Sequence, residues 1–313
     1  MNSRKFAALF LTASVLFSTG LAQAAPSYTH GQHVEPAYEG WWVNDDGTIS
    51  FVFGYFNENW EETPDIPVGA NNFFSPGEQD RGQPTHFLPR RNRFTFEVVV
   101  PADWGDRELV WTINSPNGET RKAYASTRVD YVIDNIIIAS ETGSLGAGTS
   151  SPESRANVAP QIEILGDSVR TARVGEPLVA RARVTDDGIP APGRVGSSSR
   201  FVEAQSEEEF RDNILRRPRR NTVGKVNGLY FSWNKYRGPG DVIFDPPQVK
   251  VWEDTRTSAY SPWGALYTPV AVPGDGIYET TVTFTEPGTY TLWGRADDGG
   301  LYKDQFIEVT VEP

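Results

Sequence analysis

Five aspartates in this 313-residue chain sit in glycine-bearing bends: Asp186 and Asp187 in Thr185-Asp186-Asp187-Gly188, Asp275 before Gly276, and Asp297 and Asp298 in Ala296-Asp297-Asp298-Gly299. If such bends meet, their carboxylates and backbone carbonyls offer what calcium requires, about 6 to 8 oxygen ligands in flexible geometry. Asp-Asp-Gly is also plain turn chemistry, in which Asp bonds its own backbone and Gly takes positive φ. The sequence thus sets a calcium site against an ordinary set of turns.

Aromatic residues form a second group. Trp60, Trp252, Tyr260 and Trp263, with Trp41, Trp42 and Tyr267, fall in or beside segments that read as loops. Flat exposed aromatics stack on sugar rings, so these are candidate polysaccharide contacts, with loop packing as the competing role. Trp104, Trp111, Trp233 and Trp293 read as core. A third group, Glu58, Glu61 and Glu62 with His86, has the residue types of glycosidic acid-base chemistry, but nothing in the spacing fixes a separation. His30 and His33, in His-Gly-Gln-His, stand in poor helical context and read as incidental. The chain carries no Gly-x-Ser-x-Gly, no His-Glu-x-x-His, no phosphate loop and no dinucleotide fingerprint, so no catalytic residue is assigned.

The elements that would position these residues are strands. Thr48 to Tyr55 and Arg93 to Val100 are rich in β-formers, and Asn44-Asp45-Asp46-Gly47 and Asn117-Gly118 read as hairpin turns. Residues 39–140 form a first β-sandwich, with 57–89 as long ordered loops. Residues 141–159, poor in apolar side chains, read as a linker. Further strands are expected at 177–184, 229–235, 242–244, 249–252, 277–285, 289–296 and 304–311. In the first of these Leu178, Ala180, Ala182 and Val184 face one side and Val179, Arg181 and Arg183 the other. The fold class is therefore all-β, two antiparallel β-sandwich domains.

The order Thr185-Asp186-Asp187-Gly188, Ser232-Trp233, Arg237-Gly238-Pro239-Gly240, Glu286-Pro287-Gly288-Thr289-Tyr290 and Ala296-Asp297-Asp298-Gly299 resembles the PKD-type, immunoglobulin-like module over about residues 157–312, with the domain itself placed at 160–312. The resemblance implies a buried Trp233 on the third strand and a tyrosine corner at Tyr290. Relatives usually serve as accessory or interaction modules. Two insertions, 189–227 and 252–276, lie outside the pattern. The first reads as a short helix, capped by Ser206 with Glu209, before the basic run Arg216-Arg217-Pro218-Arg219-Arg220.

Export is legible at the start. Residues 1–24 combine Arg4 and Lys5, an apolar run from Phe6 to Leu21 and Ala22-Gln23-Ala24, the pattern of a secretory signal; residues 25–38 then read as a loose mature terminus. With no cysteine there is no lipid anchor on Cys, no disulfide and no thiolate site. The 41 acidic and 29 basic residues, less Arg4 and Lys5, leave a net charge near −14, which disfavours nucleic acid and anionic lipid. The expectation is a periplasmic or secreted non-enzymatic binding, adhesion or scaffold protein without a membrane span, whose partner is a polysaccharide or a cell-envelope protein. The alternative is a polysaccharide-active hydrolase or lyase with its site in residues 39–139.

Overall fold

The alternating segments become strands wherever one side of the pattern can be buried. A computed structural model of the chain describes residues 28–142, 152–189, 229–250 and 272–313. Residues 1–24, Trp252, Tyr260, Trp263, Tyr267, the 206–215 segment and Arg216–Arg220 lie outside those residues.

The first six strands are β1 (Val34–Val43), β2 (Ile49–Asn57), β3 (Asn72–Ser75), β4 (Arg90–Val100), β5 (Leu109–Asn114) and β6 (Thr120–Ala125). They form two three-stranded sheets, β1-β2-β4 and β3-β5-β6. Between the sheets lies an aromatic core in which Phe74 stacks on Trp111 at 5.8 Å and Phe53 meets both rings edge-on. Both expected hairpin turns form, with Gly47 and Gly118 at positive φ.

Loops 57–71 and 76–89 are held from inside by side-chain amides. Asn57 Nδ2 donates to the carbonyls of Glu62 and Phe87 at 2.8 and 3.0 Å. Asn72 Nδ2 donates to those of Ile66 and Pro84, while its Oδ1 accepts from Trp111 Nε1 at 2.9 Å. Buried amides of this kind replace the backbone ladder that an irregular segment lacks.

Two expectations change. The terminus is not loose from Tyr28 onward: Tyr28 and Thr29 carbonyls accept from the Trp60, Glu61 and Glu62 N–H groups, and β1 begins at Val34. The segment after the first sandwich is also more structured than a linker, with α1 (Asn135–Thr142) and α2 (Pro152–Ala156) on either side of residues 143–151.

The remaining strands are β7 (Gln161–Ile164), β8 (Val169–Arg173), β9 (Leu178–Thr185), β10 (Tyr230–Arg237), β11 (Val242–Asp245), β12 (Ile277–Phe284), β13 (Gly288–Asp297) and β14 (Tyr302–Glu312). Their sheets, β11-β12-β9-β7 and β10-β13-β14-β8, give the strand arrangement of an immunoglobulin-like sandwich. One strand was not anticipated: β8, which alternates exposed and half-buried residues, pairs parallel to β14 along the sheet edge. Residues 247–250 are not strand. Trp233 is fully buried, and the Tyr290 hydroxyl donates to the Glu286 carbonyl at 2.8 Å and accepts the Gly240 N–H at 3.0 Å. Gly238, at φ +144°, lies so close under the Tyr290 ring that a Cβ would overlap it. The tyrosine corner thus ties the Arg237–Asp241 turn to the turn before β13.

Tyr290→Phe leaves a buried N–H and a carbonyl without their partner, and is expected to lower unfolding stability by about 1–3 kcal/mol in urea titration. A change within about 0.5 kcal/mol would mean that solvent replaces the corner.

Candidate functional site

The sequence gives little warning of the contact between the two sandwiches, which begins with an irregularity in β4. The β2–β4 register shifts between Phe53 and Tyr55, so that residues 93–95 stand opposite a single residue, Gly54. Phe94 takes a positive φ of 50° there. The bulge turns the Phe94 ring out of its own sheet and onto Tyr302 of β14, stacked at 6.0 Å. It also presents the Arg93 and Phe94 carbonyls to Arg295 of β13, whose Nη1 and Nη2 donate to them at 3.2 and 2.5 Å.

Arg295 is 2 % exposed and forks onto Asp304, with Nε and Nη2 at 2.8 and 2.7 Å from the two carboxylate oxygens. Its guanidinium also lies over the rings of Trp293 and Tyr302 at 4.7 and 4.2 Å. Trp293 Nε1 donates to the same Asp304 at 2.7 Å. Buried charge is tolerable here because the guanidinium has an opposite charge, two carbonyls and two ring faces around it.

Three more cations of the second sandwich reach into the first. Lys235 Nζ lies 3.0 Å from both Asp65 carboxylate oxygens, and Oδ1 also meets His86 Nδ1 at 2.9 Å. Arg237 pairs with Asp80 at 2.8 Å and donates to the Gln83 carbonyl. Lys250 Nζ donates to the carbonyls of Pro89 and Arg91 at 2.7 and 2.8 Å. An apolar seam of Val52, Phe94, Ile133, Ile138, Ala139 and Leu301 continues the contact. Burial raises the Asp65 carboxyl, but the His86 and Lys235 hydrogen bonds and charges outweigh it and leave the group below the ordinary carboxylate value.

The bends at 185–188 and 275–276 lie side by side at one end of the second sandwich, where the Val184 N–H donates to the Gly276 carbonyl, and the Val158 N–H donates to Asp187 Oδ2 at 3.0 Å. The five aspartates are not equivalent. Asp187 spends both oxygens on the Ile189 and Val158 N–H groups, and Asp275 Oδ1 and Asp297 Oδ1 cap Ile277 and Gly299. Asp186 caps Gly188 with Oδ2 while its Oδ1 is buried without a partner. Asp298 caps Gly300 and Leu301 with Oδ1 and leaves Oδ2 buried and unpartnered, as is Asn157 Oδ1. Burial pushes Asp298 up to about 7 and Asp297 to about 6, and raises Asp186 as well.

The other candidates are dispersed. Trp60 is half-buried, with the Arg90 guanidinium 4.1 Å over its ring; Arg90 lies also over Phe56 at 4.4 Å. Trp41 and Trp42 lie at the end of β1 beside its hairpin turn, with their indole N–H groups donating to the Arg128 carbonyl and Asn44 Oδ1. Glu62 Oε2 accepts the Gly31 N–H, and His86 is committed to Asp65 at the seam. Among the described residues, the one trio of His, Asp or Glu whose ligand atoms lie within 4.8 Å of one another is His33, Glu35 and Glu58, and Glu58 also stands 3.9 Å from Arg90. His33 reads as incidental in the sequence because His-Gly-Gln-His makes a poor helix, and Glu58, which the fold brings beside it, lies far along the chain.

No family model matches the chain, and no curated protein matches it. Solved structures with distant similarity include a chimeric titin Z1Z2 (TM-score 0.23, 11 % identity, 90 % of this chain and 98 % of that one). Domains 4 and 5 of the S-layer protein SbsC match with a TM-score of 0.22 and 10 % identity, over 90 % of this chain and 98 % of that one. The adhesin InvE of Yersinia pseudotuberculosis matches with a TM-score of 0.23 and 9 % identity, over 90 % of this chain and 59 % of that one. These likenesses are too distant to transfer function. Among the described residues, no helix is long and apolar enough to cross a membrane.

Arg295→Leu strands Asp304 and two carbonyls, and is expected to cost about 3–5 kcal/mol of unfolding free energy by urea titration at neutral pH. Because the folded carboxyl of Asp65 sits below its ordinary value, its contribution is present above about pH 4 and lost as pH falls through the lowered folded value. Thermal melts from pH 6 down to pH 2.5 should therefore show a steeper acid loss in the wild type than in Asp65→Asn.

Proposed function

We propose that this chain is an exported, non-enzymatic adhesion or scaffold component of the periplasm or cell exterior that holds two β-sandwiches in a fixed mutual arrangement. The observation that carries this reading is the seam: Arg295, Lys235, Arg237 and Lys250 are all spent on holding the second sandwich to the first. A protein whose task is to display a surface at a set angle benefits from such a joint, whereas independent modules on a flexible tether do not need it. The acidic composition, the apolar leader and the lack of cysteine agree with a soluble exported product. The partner is an envelope polysaccharide or protein, met through the aromatics of the second insertion. Trp252, Tyr260 and Trp263 are the contacts assigned from sequence. Loops carried on a rigid sandwich are a usual place for specificity.

Retention of purified protein on insoluble peptidoglycan, cellulose and chitin tests the polysaccharide arm, with whole-envelope extract testing the protein arm. If the two tryptophans serve binding rather than packing, Trp252→Ala with Trp263→Ala should abolish retention while leaving the melting midpoint within about 2 °C. Retention unaffected by the pair would remove the aromatic assignment. Release of soluble sugar, stopped by Glu61→Gln, would replace the scaffold reading with that of a hydrolase or lyase.

A further inference from the structure

His33, Glu35 and Glu58 come together because of the way β1 pairs with β2. The antiparallel register sets Val34 against Asn57 and Glu35 against Phe56. One step further out the Glu58 N–H donates to the His33 carbonyl at 3.1 Å, so His33 stands opposite Glu58. Directly opposed residues of an antiparallel pair share a face, with Cβ atoms about 4.5–5.5 Å apart. Residues two apart on an extended chain share a face as well, which adds Glu35 to the pair. Val34 and Asn57, between them in sequence, are fully buried, so the trio looks outward from the first sandwich. One ligand atom from each residue lies within 4.8 Å of the other two.

Ligand atoms about 2.1 Å from a tetrahedral ion are about 3.4 Å apart, so modest side-chain rotations close the trio around one. Glu35 is exposed and His33 and Glu58 are half-buried, which leaves room for those rotations. The nearby cation does not fill the place. Arg90 lies over the rings of Phe56 and Trp60 and spends Nη1 on the Glu58 carbonyl at 2.6 Å, whereas the Glu58 carboxylate is 3.9 Å away, beyond hydrogen-bond reach. We propose that His33, Glu35 and Glu58 bind a zinc ion, with water in the fourth position.

The donor set selects the ion. An imidazole with two carboxylates suits zinc, whereas calcium and magnesium take oxygen ligands alone. Three protein ligands leave one position open to solvent. The rival state holds no metal, and a protonated His33 sits between the two carboxylates. Bound zinc would fasten the start of β1 to the exit of β2, where the Tyr28 and Thr29 carbonyls already accept from Trp60, Glu61 and Glu62. The proposal is independent of whether the chain is adhesive.

Isothermal titration of untagged, chelator-stripped protein with zinc chloride, paired with melts in zinc or EDTA, decides it. About one zinc per chain is expected, since the trio offers three ligands to a single ion. The midpoint should rise by several degrees in zinc and stay put in calcium or magnesium. His33→Gln should abolish the zinc response. Groups that merely support a metal ligand are worth about 10- to 100-fold in affinity, so Glu35→Gln should weaken binding by at least that much. Being exposed, Glu35→Gln serves if His33→Gln does not fold. His30→Gln, outside the trio, should titrate like the wild type. Equal midpoints in zinc and EDTA with no heat of binding would overturn the proposal in favour of the protonated His33. Zinc binding unchanged in both ligand variants, or lost with His30→Gln, would overturn it in favour of a different surface site. Calcium matching zinc would overturn it in favour of a non-selective acidic patch.

Discussion

The buried guanidinium of Arg295 is the constraint around which the two sandwiches are arranged. It is locked by Asp304 within its own sheet and by two carbonyls that belong to the other domain, so neither sandwich alone satisfies it. An ion pair of this kind adds little stability over a well-packed apolar contact, but breaking one side of it is costly. Its effect is therefore on specificity: among the ways in which two β-sandwiches could abut, the one that supplies carbonyls at residues 93 and 94 is selected. The bulge in β4 exists in the same sense, since a regular strand would point those carbonyls along its own ladder.

The neighbouring contacts follow the same logic. In β10 the register shifts between Lys235 and Arg237, and a bulge there lets Lys235, Tyr236 and Arg237 all reach the first sandwich, at Asp65, Gly82 and Asp80 respectively. Strands β10 and β13 are consequently dry on both faces, β10 from Tyr230 to Tyr236 and β13 from Leu292 to Asp297, while β14 and β8 keep exposed residues on one face.

This explains how far the sequence could be read. The strands of the second sandwich, its Trp233 core and its Tyr290 corner were legible because each is set by local alternation and turn residues. Lys235, Arg237 and Arg295 were not, because a charged residue on a strand signals a wet face, and only the opposing domain makes that face dry. The parallel β8 was missed for a related reason: at a sheet edge its residues are at most half-buried, and the alternation is faint. At the acidic bends, which oxygens remain free could not be read, since Asp186 and Asp187 are adjacent and chemically identical until one of them bonds Val158.

Lys250 carries a mechanical consequence. Its ammonium is bolted to the Pro89 and Arg91 carbonyls of the first sandwich, although its backbone belongs to the second. The chain beyond it therefore departs from the boundary of the two bodies rather than from the tip of one. A pulling force on that segment enters both bodies at once and loads the Lys250 rivet in shear, so the pair resists as a single beam instead of hinging open.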